Sequence, residues 1–254
     1  MIQLKNTHEI QILREGGAIH ARILSELVSF VRVGMSTMDV DTKAQELLKQ
    51  NNCESAFLGY KTEGIKNPFP AALCISVNEE IVHGIPSDTK ILKEGDVVKL
   101  DLGVVYKGLY TDMATTVIVG KGNKDTYRLI ETAKLALQAA VEALAPNMPL
   151  RHVGKAVEKV VEKGGCEVFK ELCGHGVGFG VHEEPYVLNY SSHQDFGDAI
   201  PGMVLALEPL VTLGKDGLKT KSDGWTIVSK DNAISAHEEV TVLITETGVE
   251  VLTQ

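Results

Sequence analysis

Four carboxylates stand where carboxylates are costly. Asp101 lies inside the apolar run VVKLDLGVV, and Asp112 follows it across a hairpin. Glu208 lies in MVLALEPLV, and Glu239 heads EVTVLIT. An isolated buried carboxylate is expensive, so such groups are normally paired, protonated or metal-bound. Whether the hairpin turns at Tyr106-Lys107 or at Lys107-Gly108, Asp101 and Asp112 fall on one face. Two like charges there repel unless a cation lies between them. For the two aspartates alone, a strand edge facing solvent is an equal alternative, and each glutamate alone reads as a strand-end carboxylate. Together the four bring four negative charges, which two divalent cations neutralise. That balance suits a binuclear site with bridging carboxylates.

The stretch GHGVGFGVHEEP is the next source of chemistry. Glycine takes every second position from Gly174 to Gly180. One strand face is then bare backbone, open to close approach by a ligand or another strand. His175 lies on the opposite face and can reach a metal. His182 has the other parity, so a bend or bulge must redirect it if both serve one site. His83 lies in NEEIVHGIP, where a turn histidine is the plain alternative. His8, His20, His152, His193 and His237 fall on helices or polar loops and read as surface residues.

The elements that must position these groups are legible in outline. Asn6-x-x-Glu9 is a capping box, and an amphipathic helix runs behind it to about Phe30. Ser36-x-x-Asp39 is a weaker one, with a helix to about Gln50. Lys61 to Pro70 reads as a loop. Strands are expected over Val97–Val105 and Met113–Val119. Helices follow over Asp125–Leu144, stopped by Pro146, and over Leu150–Lys163. The remainder is mostly strand, near Gly174–Val181, Met203–Leu213, Thr226–Ser229 and Glu239–Ile244.

Helices then strands occur twice, and the halves align. Met35, Val40 and Cys53-Glu54 fall over Met148, Val153 and Cys166-Glu167. Further on, Gly95-Asp96-Val97 falls over Gly202-Met203-Val204, which puts Asp101 over Glu208. Chance similarity of amphipathic helices is the alternative to duplication. No polar linker separates the halves, so one shared core is expected. The chain reads as a single catalytic domain over 1–254, with a pseudo-repeat of roughly 1–122 and 123–254.

The composition excludes several classes. The 254 residues are 44% hydrophobic and 23% charged, which argues against disorder. Apolar runs fall well short of the roughly 20 residues of a membrane helix. The N-terminus lacks a basic-then-apolar signal layout. A net charge of −9 argues against general nucleic-acid binding. Cys53, Cys74, Cys166 and Cys173 show no CxxC spacing, and reduced thiols in a cytoplasmic protein are the simplest reading.

NEEIVHGIP, KLDLG with its later Asp112, CGHGVGFGVHEEP, ALEP, DGWT and HEEVT occur in order along the chain. In these motifs the sequence resembles the type I methionine aminopeptidases, over essentially its whole length. The resemblance implies the pita-bread fold: α+β, with two pseudo-symmetric halves of helices and antiparallel strands sharing one curved sheet, helices on its outer face. It implies metal ligands at Asp101, Asp112, His175, Glu208 and Glu239. One metal would be held by Asp112, His175, Glu208 and Glu239. The other would take Asp101, with Asp112 and Glu239 bridging. The ligand types suit Co, Mn, Fe or Zn.

The implied activity is removal of the initiator methionine from nascent polypeptides by a hydroxide bridging the two metals. Glu208 would carry the proton to the leaving amine, His182 would stabilise the oxyanion, and His83 would hydrogen-bond the scissile amide. The metal near Asp101 would hold the free α-amine. Tyr60, Cys74, His83 and Trp225 match the family's methionine pocket, although Trp225 alone would read as core. Phe57, Val181 and a long loop over Lys61–Pro70 depart from familiar members, with Phe69 as a stand-in pocket aromatic. Asn78, Glu80 and Ser235 match a monovalent-cation site (Na or K) built from backbone carbonyls. X-Pro peptidases and creatinase-like hydrolases usually carry a sizeable N-terminal domain, whereas here the first ligand is already at 101. Non-catalytic members of the fold lose ligands, and all five are present here. Lys215, Lys219, Lys221 and Lys230 form a basic cluster, read either as a transient ribosome contact or as a solvated loop. Relatives of this length are commonly monomers.

Overall fold

The computed structural model describes residues 2–254. Helices precede strands in each half, as the pattern predicts. The first half holds α1 (Thr7–Phe30), α2 (Thr37–Gln50), β1 (Glu54–Ser55), β2 (Cys74–Val77), β3 (Glu80–Val82), β4 (Val97–Tyr106) and β5 (Leu109–Ile118). The second opens with α3 (Lys124–Ala143), α4 (Arg151–Lys163), β6 (Glu167–Val168), β7 (Cys173–Gly176) and β8 (Glu183–Leu188). It continues with β9 (Val204–Leu207), β10 (Leu210–Thr212), β11 (Leu218–Thr220), β12 (Ile227–Ser229), β13 (Ser235–His237), β14 (Val240–Ile244) and β15 (Val249–Val251).

Local chemistry sets the helix starts. Asn6 accepts from the backbone N–H groups of His8 and Glu9, and Glu9 accepts from Asn6 in return. Ser36 and Asp39 exchange the same pair of bonds. A third box, Asn123 with Thr126, starts α3. Such caps are worth about 0.5–2 kcal/mol each.

The helices cover one face of the strands. In β4, Val98, Leu100, Leu102 and Val104 pack with Leu24 and Leu27 of α1 and with Val40 and Leu47 of α2. In the second half α3 and α4 pack Leu129, Ala136, Val153 and Val157 against Leu205, Leu207, Val242 and Ile244. Leu27 is 0% exposed, so Leu27→Ala would cost about 2–5 kcal/mol. With alternate β4 residues committed to the helices, Lys99 and Asp101 face the other way.

His20 corrects the surface reading. It stands at helical spacing from Leu13, Leu24 and Leu27 and is buried with them. Its Nδ1 lies 3.0 Å from Thr111 Oγ1, and burial lowers the imidazole to about 3.

The strands form four ladders: β1–β4–β2 with β5 on β4, β13–β10–β6, β11–β12–β3, and β15–β14–β9–β7–β8. β4 and β5 join through Lys107 and Gly108, both at positive φ (49° and 81°), the geometry that suits a two-residue hairpin turn. The run expected over Met203–Leu213 divides into β9 and β10 at Glu208-Pro209, where proline has no N–H for a ladder. Among the described residues, no helix is long and apolar enough to cross a membrane.

Candidate active site

Strand register gathers the acidic groups. Asp101 pairs with Cys74 on one side and Ala114 on the other. Ala114 bridges to Glu239. In the register that pairs Leu207 with Val240 and Leu210 with His237, Glu239 stands opposite Glu208. Directly opposed residues share a face. Cys74, Asp101, Ala114, Glu239 and Glu208 therefore form one lateral row across both halves. Asp112 lies two residues from Ala114. His175 pairs with Ala206, two residues from Glu208. The two-residue period brings both onto the same face.

The donor atoms converge accordingly. Those of His175, Glu208 and Glu239 lie within 4.8 Å of one another, as do those of Asp101, Asp112 and Glu239. Asp112, His175 and His182 form a third such group. His175 Nδ1 lies 2.9 Å from Gly176 O, so it carries the proton and Nε2 faces the site, 3.4 Å from Glu208 Oε1. Burial holds this imidazole at about 3, which keeps it in the neutral, ligating form.

Burial pushes all four carboxyls upward, and repulsion from neighbouring carboxylates adds to it at Asp101, Asp112 and Glu239. Burial is the first cause for each. Asp101 rises to about 7 and Glu208 to about 8. Asp112 rises well above the usual range, with Asp101 and Glu208 adding to it, and Glu239 does the same beside Asp112, Glu208 and Asp101. Four carboxylates that resist joint ionisation, with a neutral imidazole turned inward, fit a pair of divalent cations.

His182 is redirected as its parity requires. The β7–β8 register shifts between His175 and Gly176, and the strand expected to reach Val181 stops at Gly176. Glu183 Oε1 then accepts from the N–H groups of Phe179 (2.5 Å) and Gly180 (2.7 Å), while Oε2 pairs with Lys5 at 2.7 Å. This bend brings the His182 ring to 4.7 Å from that of His175. The bare glycine face admits protein rather than ligand. A Cβ on Gly174 would meet Ala206 O at 2.4 Å, and one on Gly176 would meet Glu184 O at 2.3 Å.

The row floors a cavity of about 500 Å³. Tyr60, Phe69, Cys74, His83, His182 and Trp225 line it, with Phe57 and Ile65. Tyr60 Oη lies 2.9 Å from His182 Nδ1, and Trp225 Nε1 donates to Asn67 O at 3.0 Å. Phe69 meets Trp225 edge-on at 5.4 Å, so the 61–70 loop does supply a pocket aromatic. Val181 packs in the same apolar cluster but not on the cavity wall. His83 follows β3 at φ 55°, and burial lowers its imidazole to about 4. His182 stands at the open side, and surrounding protein lowers it too. The buried Cys74 thiol is pushed well up by burial and by Asp101.

His237 corrects a second surface reading. It is 2% exposed, lines the cavity, and places Nε2 3.4 Å from Glu208 Oε2 and 3.8 Å from Glu239 Oε2. Neither ring nitrogen has a hydrogen-bond partner among the described residues. Strand β13 is only three residues long, too short to show a period. The signal was positional: His237 lies two residues before Glu239 on the same face.

Two other expectations meet competition. Lys215 pairs with Glu167 at 2.9 Å and Lys221 with Glu80 at 2.7 Å, which neutralises half of the basic cluster. Asn78 O and Ser235 O face Lys99 Nζ, which donates to both. Burial lowers that amine to about 7, against the raising effect of Glu80 and Glu79.

Comparison with known proteins identifies the family. The model of metallopeptidase family M24 matches residues 11–246, and the chain belongs to that family. More narrowly, a methionine aminopeptidase from Aquifex aeolicus is 40% identical, the match covering 100% of this chain and 99% of that one. The crystal structure of methionine aminopeptidase from Thermotoga maritima matches at TM-score 0.95 and 38% identity, covering 100% of both chains. Prolidase from Pyrococcus furiosus matches at TM-score 0.76 and 25% identity, covering 99% of this chain and 65% of that one. The fold is the pita-bread fold of these proteins.

Proposed function

We propose that this chain is a metal-dependent methionyl aminopeptidase acting on the N-termini of nascent polypeptides. The observation that carries the reading is the lateral row: two donor groups sharing Glu239 at the floor of an apolar cavity. His175, Glu208 and Glu239, with Asp112, would hold one divalent cation. Asp101 would hold the other, with Asp112 and Glu239 shared. When bound, the ions acidify water and polarise a carbonyl, and Co, Mn, Fe and Zn all suit the donor set.

The chain's own groups supply the rest. Glu208 takes the proton of the attacking water on a carboxylate oxygen and delivers it to the leaving amine. With the Tyr60 hydroxyl donating to His182 Nδ1, the His182 proton resides on Nε2 and is offered to the developing oxyanion. His83, neutral at physiological pH, hydrogen-bonds the scissile amide. Phe69, Trp225, Tyr60 and Cys74 form an apolar wall for a thioether side chain. The Asp101 side of the floor receives the free α-amine, which restricts cleavage to chain ends.

The paired registers β4–β5 and β9/β10–β13/β14 support one catalytic domain of two related halves. We assign the working unit as a cytoplasmic monomer. Any ribosome contact falls to Lys219 and Lys230, which make no ion pair among the described residues. The test is substrate choice. Met-Ala-Ser is expected to yield free methionine, and a Xaa-Pro dipeptide to remain intact. Cleavage of the proline substrate alone would move the chain to the prolidase side of the family.

A further inference from the structure

Lys99 stands on the site face of β4, two residues before Asp101, and is 1% exposed. Its Nζ donates to the backbone carbonyls of Asn78 at 2.7 Å and Ser235 at 3.2 Å. Ser235 Oγ closes the same place, its one O–H within reach of Asn78 O at 3.3 Å and Glu80 O at 3.2 Å. Asn78 is held in the left-handed region, φ 55°, by Nδ2 donating to Asp96 and Oδ1 accepting from Val97 N–H, both at 2.9 Å. That conformation turns its carbonyl toward Nζ. Oxygens converging from the β2–β3 turn and from β13 make a cage of the kind that takes a bare monovalent cation.

We propose that Lys99 is a tethered stand-in for a monovalent cation, its amine taking the place of a free sodium or potassium ion at this cage. A free ion would need the oxygens that Nζ already engages. Either protonation state of the amine keeps at least two N–H donors, matching the two carbonyls. The tether joins β4 and the β2–β3 turn of the first half to β13 of the second. Lys99 is thus a positioning residue: it sits one step along β4 from Asp101, while Ser235 sits one step along β13 from His237. The sodium or potassium site expected at Asn78, Glu80 and Ser235 does not fit a free ion in this chain.

The test reads thermal stability, so its failure is separable from failure of the proposed activity. Wild-type protein is expected to keep the same Tm in choline, sodium and potassium chlorides at equal ionic strength. Lys99→Asn removes the amine and leaves the carbonyls. It is expected to melt about 5 °C lower in choline and to regain at least half of that loss in potassium or sodium. Lys99→Met, which fills the cage, is expected to show no such rescue. Selective stabilisation of wild-type protein by potassium or sodium would overturn the proposal. So would a Lys99→Asn deficit equal in all three salts. Should Lys99→Asn fail to fold in every salt, Lys99→Ser takes its place and the wild-type comparison still decides.

Discussion

Ala114 and Glu239 are joined backbone to backbone: Glu239 N–H donates to Ala114 O at 2.9 Å, and Ala114 N–H to Glu239 O at 3.4 Å. This bridge is where β5 of the first half meets the start of β14 in the second. It leaves only a methyl group between Asp101 and Glu239 in the lateral row.

Ala114 is 1% exposed, so a larger side chain there enters between the carboxylates. Ala114→Leu is predicted to lose about 1–3 kcal/mol of stability and to weaken divalent-metal binding at least about tenfold. Ala114→Gly, which keeps the space, should bind metal like wild type. Calorimetric titration with manganese checks both. Unchanged affinity in the leucine variant would show that the row does not set the ligand spacing.

Metal-free protein should lose stability as pH rises. Asp101 at about 7 and Glu208 at about 8 hold protons in the folded state that the unfolded chain releases near its ordinary carboxylate values of about 4. Buried His20, His83, His175 and His237, lowered to about 3 or 4, oppose this below about pH 6.5, so the folded state holds the excess of protons, and loses its advantage, between about pH 6.5 and pH 8. Chelator-treated protein should show a falling Tm over this range. Added manganese or cobalt should reverse the fall, with the larger gain at the alkaline end. A flat profile would mean that the folded state does not hold these carboxyls protonated.

Tyr60→Phe removes the hydroxyl that orients His182 and leaves the ring in place. One hydrogen bond of about 0.5–1.5 kcal/mol is lost, a kcat decrease of about two- to tenfold. KM for a methionyl peptide should change little, since the apolar wall is intact. His182→Ala should cost more, about 100-fold or beyond. A Tyr60→Phe effect confined to KM would place the hydroxyl in substrate binding instead.

The sequence makes the helices legible because caps and apolar spacing are local. It makes Asp101 and Asp112 legible as a pair because hairpin parity is arithmetic on one strand pair. His20 was also within reach, at helical spacing from Leu13 and Leu24, but its polarity outweighed its position. Lys99 shares the apolar run and the parity of Asp101, yet its partners lie on a turn and on β13, contacts that no local pattern encodes. His237 depends likewise on a three-residue strand whose place is fixed by register with β10. The bend at Gly178–His182 needs Glu183 beside it and Lys5 from the N-terminal segment, and only its necessity could be inferred. What escaped the sequence was long-range pairing, not chemistry.

The central claim is that the lateral row works through bound divalent cations. The most direct measurement is methionine release from Met-Ala-Ser by chelator-stripped protein, titrated anaerobically with manganese, iron, cobalt and zinc. Release is expected to be absent without added metal, to recover saturably with it, and not to recover in His175→Ala. Release that survives chelation and the His175→Ala substitution would contradict the claim.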